Sequence, residues 1–298
     1  MDQGANPSPQ SATGRRVAFF GGSFDPPHLG HLGVARAARA VLGLDTVLFA
    51  PVGAQPLKPQ GSTACFEDRL AMTRLAIAGE PGFALSLADA PKSSGAPNYT
   101  LETLIALRAE LPPESTLYCL MGADAFAAFR QWHRAAEIPF VAPLIVASRP
   151  GESLHDLKAQ LPICLTIEAA PTLNNQSMED DNPIAEVVDC KQALYQGTTS
   201  VVPQITPTSC GALAPEESFS DHSPPNPFPF KEKFELQRYI LRNPDGSHAP
   251  FYLLPNLEIE ISASAIRAQL RASTQAPPER ALLPVPVSEY IRAHGLYR

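Results

Sequence analysis

Two stretches of this 298-residue chain place chemically capable side chains at helical spacing beside a turn. The first is Gly21-Gly22-Ser23-Phe24-Asp25-Pro26-Pro27-His28-Leu29-Gly30-His31. Glycines let the backbone pass close to a ligand, and a helix start offers N–H groups to an anion. His28 and His31 stand three apart, so at a helix start they share one face and can together donate hydrogen bonds to phosphate oxygens. Pro26 and Pro27 stiffen the turn before them. Asp25 reads as a carboxylate that fixes the loop by accepting backbone N–H groups, not as a base. The second stretch is Ser262-Ala263-Ser264-Ala265-Ile266-Arg267. Serines at a helix start cap it, and Arg267, three residues after Ser264, can join an anion held at that end. The plainer reading of this second stretch is an ordinary capped helix with a surface arginine. Neither stretch is GxGxxG or GxxxxGK[ST], so a dehydrogenase-type dinucleotide fingerprint and a P-loop are both absent.

Single residues add to these clusters, each with two readings. Asp124 follows Gly122 at a strand end, where a carboxylate can accept from ribose hydroxyls or a base, or simply favour a helix N-terminus. Trp132, the only tryptophan, is either a stacking surface or a core residue. Lys58 lies in a proline-flanked loop, as a mobile ammonium for a phosphate or as a plain surface lysine. Tyr99 and Thr100 open a helix, with Thr100 as a possible N-cap. His133, His155, His222, His248 and His294 have no motif around them and read as surface residues.

The elements that position these residues follow from apolar runs. Val17-Ala18-Phe19-Phe20 is a short buried strand ending at Gly21-Gly22; His28 to Leu42 has helical spacing; Thr46 to Ala50 is a second strand. That is a βαβ unit. The alternation continues with helices over Glu67–Ala78, Thr100–Glu110, Ala123–Phe129, Ser153–Gln160 and Ser262–Arg271. Strands are expected over Phe83–Ala88, Thr116–Met121, Pro143–Ala147 and Phe251–Leu254. The pattern predicts an α/β fold with a doubly wound parallel sheet, in which ligands sit beyond the carboxyl ends of the strands. Residues 1–15 read as a flexible tail, and 16–298 as one domain interrupted by a Pro-rich insert at about 171–249, expected to be disordered. Within that insert, Lys231–Arg242 has the spacing of an amphipathic helix.

Composition sharpens the division. The chain has 23 Lys plus Arg against 30 Asp plus Glu, a net charge of −7, which speaks against a nucleic-acid binder that relies on a basic footprint. Residues 171–250 hold 11 acidic and 5 basic residues, so −6 of that charge belongs to the insert and the remainder is near neutral. Of 32 prolines, 11 lie in the same stretch. No run approaches the ~20 apolar residues of a membrane helix, and the start of the chain lacks a signal-peptide core, so a cytoplasmic address and no membrane partner are expected. Five widely spaced cysteines with no CxxC pair argue against a disulfide scaffold or thiolate zinc site. No pattern specifies an oligomeric state.

The HxGH element inside GGSFDPPHLGH resembles the nucleotidyltransferase superfamily that transfers AMP or CMP from a nucleoside triphosphate. The surrounding residues are similar to those of bacterial nicotinate-nucleotide adenylyltransferases. Further similarity runs along the chain in the family's order: Pro51–Lys58 (PVGAQPLK), Asn98–Leu104, Leu120–Asp124 with Trp132 eight residues on, Ser148–Gly151, Ile261–Arg267 against an ISSTxIR pattern, and Val285–Tyr297 against V-x-x-Tyr-Ile-x-x-x-Gly-Leu-Tyr. The resemblance covers about 16–170 and 250–298, and the insert is where the chain departs from it.

The resemblance implies a Rossmann-like nucleotidyltransferase fold and adenylyl transfer from ATP to nicotinate mononucleotide, giving deamido-NAD and pyrophosphate in NAD biosynthesis. It implies His28, His31 and Arg267 as catalytic residues. ATP would be held by Gly21, Gly22, Ser23, Phe24, Gly122, Asp124, Ser262 and Ser264. The mononucleotide would meet Lys58, Tyr99, Thr100 and Trp132, whose ring face suits a cationic pyridinium. Mg²⁺ would ride on the ATP phosphates without protein ligands. The alternatives are a sister adenylyltransferase acting on nicotinamide mononucleotide or phosphopantetheine, and a non-catalytic nucleotide-binding module. Tyr99, Thr100 and Trp132 speak against phosphopantetheine, and the intact His28, His31 and Arg267 against the module.

Overall fold

A computed structural model describes residues 14–58, 60–147, 154–170, 236–254, 261–272 and 282–298. The expected tail up to residue 13, residues 171–235 of the expected insert and the Ser148–Gly151 segment lie outside the described residues. The fold below is that of the described residues alone.

Among the described residues eight strands form one sheet in the order β3-β2-β1-β4-β5-β8-β7-β6. They are β1 (Arg16–Gly22), β2 (Thr46–Pro51), β3 (Phe83–Leu85), β4 (Thr116–Gly122), β5 (Leu144–Ala147), β6 (Thr166–Ala169), β7 (Gln237–Arg242) and β8 (His248–Leu254). From β3 to β8 the neighbours are parallel; β7 and β6 close that side antiparallel. The helices are α1 (Leu29–Leu42), α2 (Phe66–Ile77), α3 (Thr100–Glu110), α4 (Ala123–Ala127), α5 (Ile138–Val141), α6 (Leu154–Gln160), α7 (Ala263–Ala272) and α8 (Val285–His294). The doubly wound α/β expectation stands. The chain leaves β1 toward β2 and β3 on one side and returns to β4 and β5 on the other, so the crevice at the carboxyl ends of β1 and β4 is the switch point where such sheets bind ligands.

The main core follows from the apolar runs. Phe19, Cys119, Leu144, Val146, Phe251 and Leu253 pack from the strands against Leu101, Leu104, Phe126 and Ile138 from helices. A second cluster lies apart from it. Met72 and Ala76 of α2, Ile266 of α7, and Val287, Ile291 and Tyr297 at the end of the chain pack together. Thus the last helix is docked against the helices nearest the β1–α1 turn.

Three expectations need correction. Residues 237–242 are not the end of a helix over Lys231–Arg242 but strand β7, paired antiparallel with β8. The reason is the turn that follows: Asn243-Pro244-Asp245-Gly246, with Gly246 at φ 85° and the Asn243 side chain accepting from Ser247 N–H at 2.9 Å, is a hairpin that imposes a partner strand. Residues 237–249 therefore belong to the sheet and not to a loop insert. The strand expected over Phe83–Ala88 stops at Leu85, because it is a short edge strand and Leu87 already points to solvent at 60% exposure. Strand β6 and helix α8 go unpredicted by apolar runs: β6 buries only Ile167 of its four residues, and α8 starts directly after Pro284 and carries Pro286 in its first turn.

Arg69 of α2 carries a tertiary role that no spacing shows. Its guanidinium is 2% exposed and donates to the carbonyls of Ser23 at 2.6 Å, Val52 at 2.8 Å and Ala64 at 3.3 Å. The β1–α1 turn and both ends of the β2–α2 loop are tied to one cation. Arg69→Met, similar in volume, leaves those carbonyls without their donor; an unfolding free energy lower by about 3 kcal/mol is expected from urea titration. A loss under about 0.5 kcal/mol, the range of surface substitutions, would show the ties to be dispensable.

Candidate active site

The β1–α1 turn is built from inside outward. Phe24 takes a left-handed conformation, φ 47°, rare for a bulky side chain. Its ring is 2% exposed, 5.7 Å from Phe20 and from Phe49 and 4.9 Å from His31. Phe24 thus buttresses the histidine from below. Asp25, 4% exposed, accepts Thr63 N–H at 2.6 Å, Ala64 N–H at 3.1 Å and the Tyr297 hydroxyl at 2.7 Å. Its expected loop-fixing role agrees with this geometry, and Tyr297 is a partner that no local pattern signals.

His28 and His31 stack, with ring centroids 3.7 Å apart and planes 26° from parallel. The backbone N–H of His28 donates to Nδ1 of His31 at 3.2 Å. A neutral imidazole that accepts at Nδ1 carries its proton on Nε2, so His31 is set as a donor there. The N–H groups of this helix end are less available than the sequence suggests. Leu29 N–H donates to the Leu282 carbonyl at 3.0 Å, and His31 N–H folds back to the His28 carbonyl at 2.9 Å. The donors that this end of α1 presents are thus chiefly the imidazoles.

Burial sets their protonation. It lowers the His28 pKa to about 4, against an upward pull from the Asp124 carboxylate. Burial, then the neighbouring His28, hold His31 well below the ordinary histidine value. Near neutral pH both rings are uncharged donors.

Helix α7 faces this turn. Ser262 Oγ accepts Ala265 N–H at 3.3 Å and caps the helix. Arg267 lies against the turn: one Nη donates to the Asp25 carbonyl at 2.6 Å, the other to Ser264 Oγ at 3.2 Å, and the Asp25 carboxylate is 3.8 Å away. The arginine is therefore an anchored side chain, not the surface arginine of the plainer reading.

One cleft of about 1310 Å³ is lined by all of the residues singled out from sequence: Gly21, Gly22, Ser23, Phe24, His28, His31, Lys58, Tyr99, Thr100, Gly122, Asp124, Trp132, Ser262, Ser264 and Arg267. Gly22 and Gly122 end β1 and β4 on the two sides of the switch point. Lys58 Nζ donates to Ser23 Oγ at 3.1 Å, and Ser23 in turn donates to Gln55 at 3.0 Å, so the loop after β2 is latched to the first turn. Asp124 is exposed in the first turn of α4. Trp132 is half-buried, edge-on to Phe129 at 5.5 Å, and belongs to both readings: it packs on the core and also lines the cleft. Thr100 is not the N-cap; that position is Tyr99, whose side chain caps nothing.

Other residues of the cleft escape sequence reasoning. His133, expected on the surface, is exposed but lies 4.4 Å from the Tyr99 ring at the cleft wall; its place directly after Trp132 was the available clue. Asn98 is buried and pins two loops, accepting from Ala54 N–H and donating to the Ala90 carbonyl, each at 3.0 Å. A Cβ on Gly53 would come within 2.5 Å of the Pro91 nitrogen, so only glycine lets these loops touch. Asp89 accepts from the Thr103 hydroxyl, and burial pushes its carboxyl above the ordinary value.

Among the described residues no group of three or more His, Cys, Asp or Glu side chains could hold a metal ion, and no helix is long and apolar enough to cross a membrane.

Comparison with known proteins follows the same lines. The model of the family described as "Cytidylyltransferase-like" matches residues 19–269. A Gloeobacter violaceus protein described as "Probable nicotinate-nucleotide adenylyltransferase" is 45% identical over 146 residues, covering 49% of this chain and 69% of the relative. A Synechococcus protein of the same description is 40% identical over 175 residues, covering 57% and 83%. In fold, the chain is similar to Plasmodium falciparum nicotinic acid mononucleotide adenylyltransferase complexed with NaAD, with a TM-score of 0.55, 14% identity, and 95% and 97% of the two chains covered.

The histidine burial has a pH consequence. An unfolded histidine titrates near 6.5, whereas His28 in the fold titrates at about 4. Between these values the unfolded chain binds the extra proton, so this contribution to stability is full above about pH 6.5 and is lost as pH falls toward 4. Urea midpoints are expected to drop less steeply between pH 7 and 4.5 in His28→Gln than in wild type. Parallel slopes would show that burial of His28 does not oppose its protonation.

Proposed function

The chain belongs to the cytidylyltransferase-like family and, within it, to the nicotinate-nucleotide adenylyltransferases, and on that premise we propose that it transfers the adenylyl group of ATP to nicotinate mononucleotide, releasing pyrophosphate and forming deamido-NAD. The observation that carries this reading is the single cleft at the switch point in which the His28–His31 pair and the Ser262–Ser264–Arg267 helix start face one another.

The mononucleotide 5′-phosphate attacks the α-phosphorus of ATP in line, forming one P–O bond as the bond to pyrophosphate breaks. That phosphate is already ionised near pH 7, so the chain need supply no general base; its contribution is positioning and charge stabilisation. His31, with its proton on Nε2, and His28 donate to the α-phosphate and the departing oxygen. Both are uncharged before the nucleotide arrives, so the negative triphosphate meets dry, oriented donors and favours their protonation as charge builds on the leaving group. Arg267 and Ser264 hold the β- and γ-phosphates at the start of α7, and Gly21 and Gly22 let the nucleotide lie against β1. Asp124 accepts from ribose hydroxyls. Tyr99, Thr100 and Trp132 form the wall for the pyridine ring, and Lys58 swings from Ser23 to the mononucleotide phosphate.

The carboxylates of the cleft fit a cation that arrives on the nucleotide. Asp25 is spent on the turn and Asp89 faces Thr103, whereas Asp124 lines the cleft where it would meet the hydration shell of such an ion. A Mg²⁺ ion carried by ATP would supply charge screening between the reacting phosphates.

In a coupled pyrophosphate assay, His31→Ala is expected to lower kcat by about a hundredfold or more with little change in urea midpoint. Near wild-type turnover would remove His31 from the chemistry. The same assay run with nicotinate and nicotinamide mononucleotides tests the acceptor: a kcat/KM at least about tenfold higher for the acid supports this reading, and preference for the amide overturns it. No pyrophosphate with either substrate favours a binding module.

A further inference from the structure

The penultimate residue of the chain reaches the catalytic turn. Tyr297, 6% exposed, donates its hydroxyl to Asp25 Oδ1 at 2.7 Å across 272 positions of sequence. Its ring sits in the second apolar cluster with Met72, Ile266, Val287 and Ile291. The same terminal region also touches the turn through the Leu282 carbonyl, which accepts the first N–H of α1. Asp25 is where these contacts meet Arg267: the guanidinium donates to the Asp25 carbonyl at 2.6 Å yet stands 3.8 Å from its carboxylate.

That last pair of distances is informative. A buried carboxylate attracts an arginine strongly, and bidentate pairing is the arrangement the two groups favour. Here one carboxylate oxygen is claimed by Thr63 N–H and the other by Ala64 N–H and the tyrosine hydroxyl. These three donors fix the orientation of the carboxylate, with Oδ2 held 3.8 Å from the guanidinium, and Arg267 bonds the backbone carbonyl and Ser264 instead, facing the cleft. Burial and the Asp25 carboxylate push the tyrosine pKa well up, which keeps it a donor at any working pH.

We propose that Tyr297 is a positioning residue for phosphate binding: by bonding Oδ1 its hydroxyl fixes the Asp25 carboxylate so that Oδ2 stays beyond hydrogen-bond reach of Arg267, and the guanidinium stays directed at the nucleotide instead of closing onto that carboxylate. The inference rests on the reading of Arg267 as a phosphate ligand. It makes the carboxyl-terminal end of the chain part of the nucleotide site without touching the nucleotide.

The test is a double-mutant cycle on the full chain, read by calorimetric binding of Mg·ATP as well as by turnover. Tyr297→Phe is expected to weaken ATP binding about tenfold and to raise KM for ATP in step. In an Arg267→Ala background the same substitution is expected to change neither, because the residue it acts through is gone. Tyr290→Phe is the control: its hydroxyl bonds Asp68 at 3.0 Å, on the outer side of the same docked helix, and its loss should leave ATP affinity unchanged. Unchanged ATP affinity in Tyr297→Phe, or an equal loss with and without Arg267, overturns the proposal, the second result marking a purely structural role. If Tyr297→Phe does not fold, Tyr297→Leu, which also lacks the hydroxyl and keeps an apolar body, takes its place in the cycle with the same expected and overturning results. Should wild type bind ATP but release no pyrophosphate, the enzymatic reading fails while the cycle still decides the role of Tyr297. If Arg267→Ala binds ATP as tightly as wild type, Arg267 is no phosphate ligand and the proposal falls with it.

Discussion

The buried carboxylate of Asp25 is the constraint on which the site depends. A charge taken out of water must be met by donors from whatever surrounds it. Here those donors come from the loop after β2, through Thr63 and Ala64, and from the end of the chain, through Tyr297. The same residue's carbonyl holds Arg267 of α7. Satisfying one short side chain thus draws together segments that lie far apart in sequence. Because His28 follows three residues later across two prolines, fixing Asp25 also fixes where the histidine pair begins. Arg69 does the complementary work with a buried cation and three carbonyls, so the turn is pinned by opposite charges from two directions.

The electrostatics that result suit a polyanionic substrate. The charged groups nearest the turn are committed to the fold, while the two imidazoles are held neutral by burial. Donors that are dry, oriented and uncharged in the free protein need little rearrangement when phosphate arrives, and low local polarity strengthens every bond they then make. Arg267 is steered by Ser264 and the Asp25 carbonyl. The backbone N–H groups at the start of α1 contribute less than a bare helix end would, since the Leu282 carbonyl already takes one of them.

Much of the fold and of the candidate site was legible before any coordinates. The run Val17–Phe20 into Gly21-Gly22, then helical spacing from His28, announces strand, turn and helix because β and α periodicities differ and glycine marks the change. Arg267 at three residues from Ser264 announces a shared helix face. Legibility stops where a residue's partner is distant. Lys231–Arg242 has a helical apolar spacing, yet its last six residues are strand β7, since pairing with β8 outweighs local preference. Asn98, Arg69 and Tyr297 carry no local signature, because a polar residue that bridges loops is defined by what it meets in space. His133 read as surface, and it is exposed, but the fold turns it to the cleft beside Tyr99.

By itself the sequence determined the alternation of elements, the chemistry of the histidine and serine–arginine clusters, and the family to which they belong. All of these depend on neighbours a few residues apart, where bond geometry alone sets which side chains share a face. Only the tertiary structure decided which atoms are available. It took the first N–H of α1 out of use, set the His31 proton on Nε2, and lodged Arg267 against Asp25. It also brought the last turn of the chain to the first loop. The first and last of these turn on partners far apart along the chain, and the His31 tautomer on the exact backbone geometry of the turn, none of which is written in residue spacing.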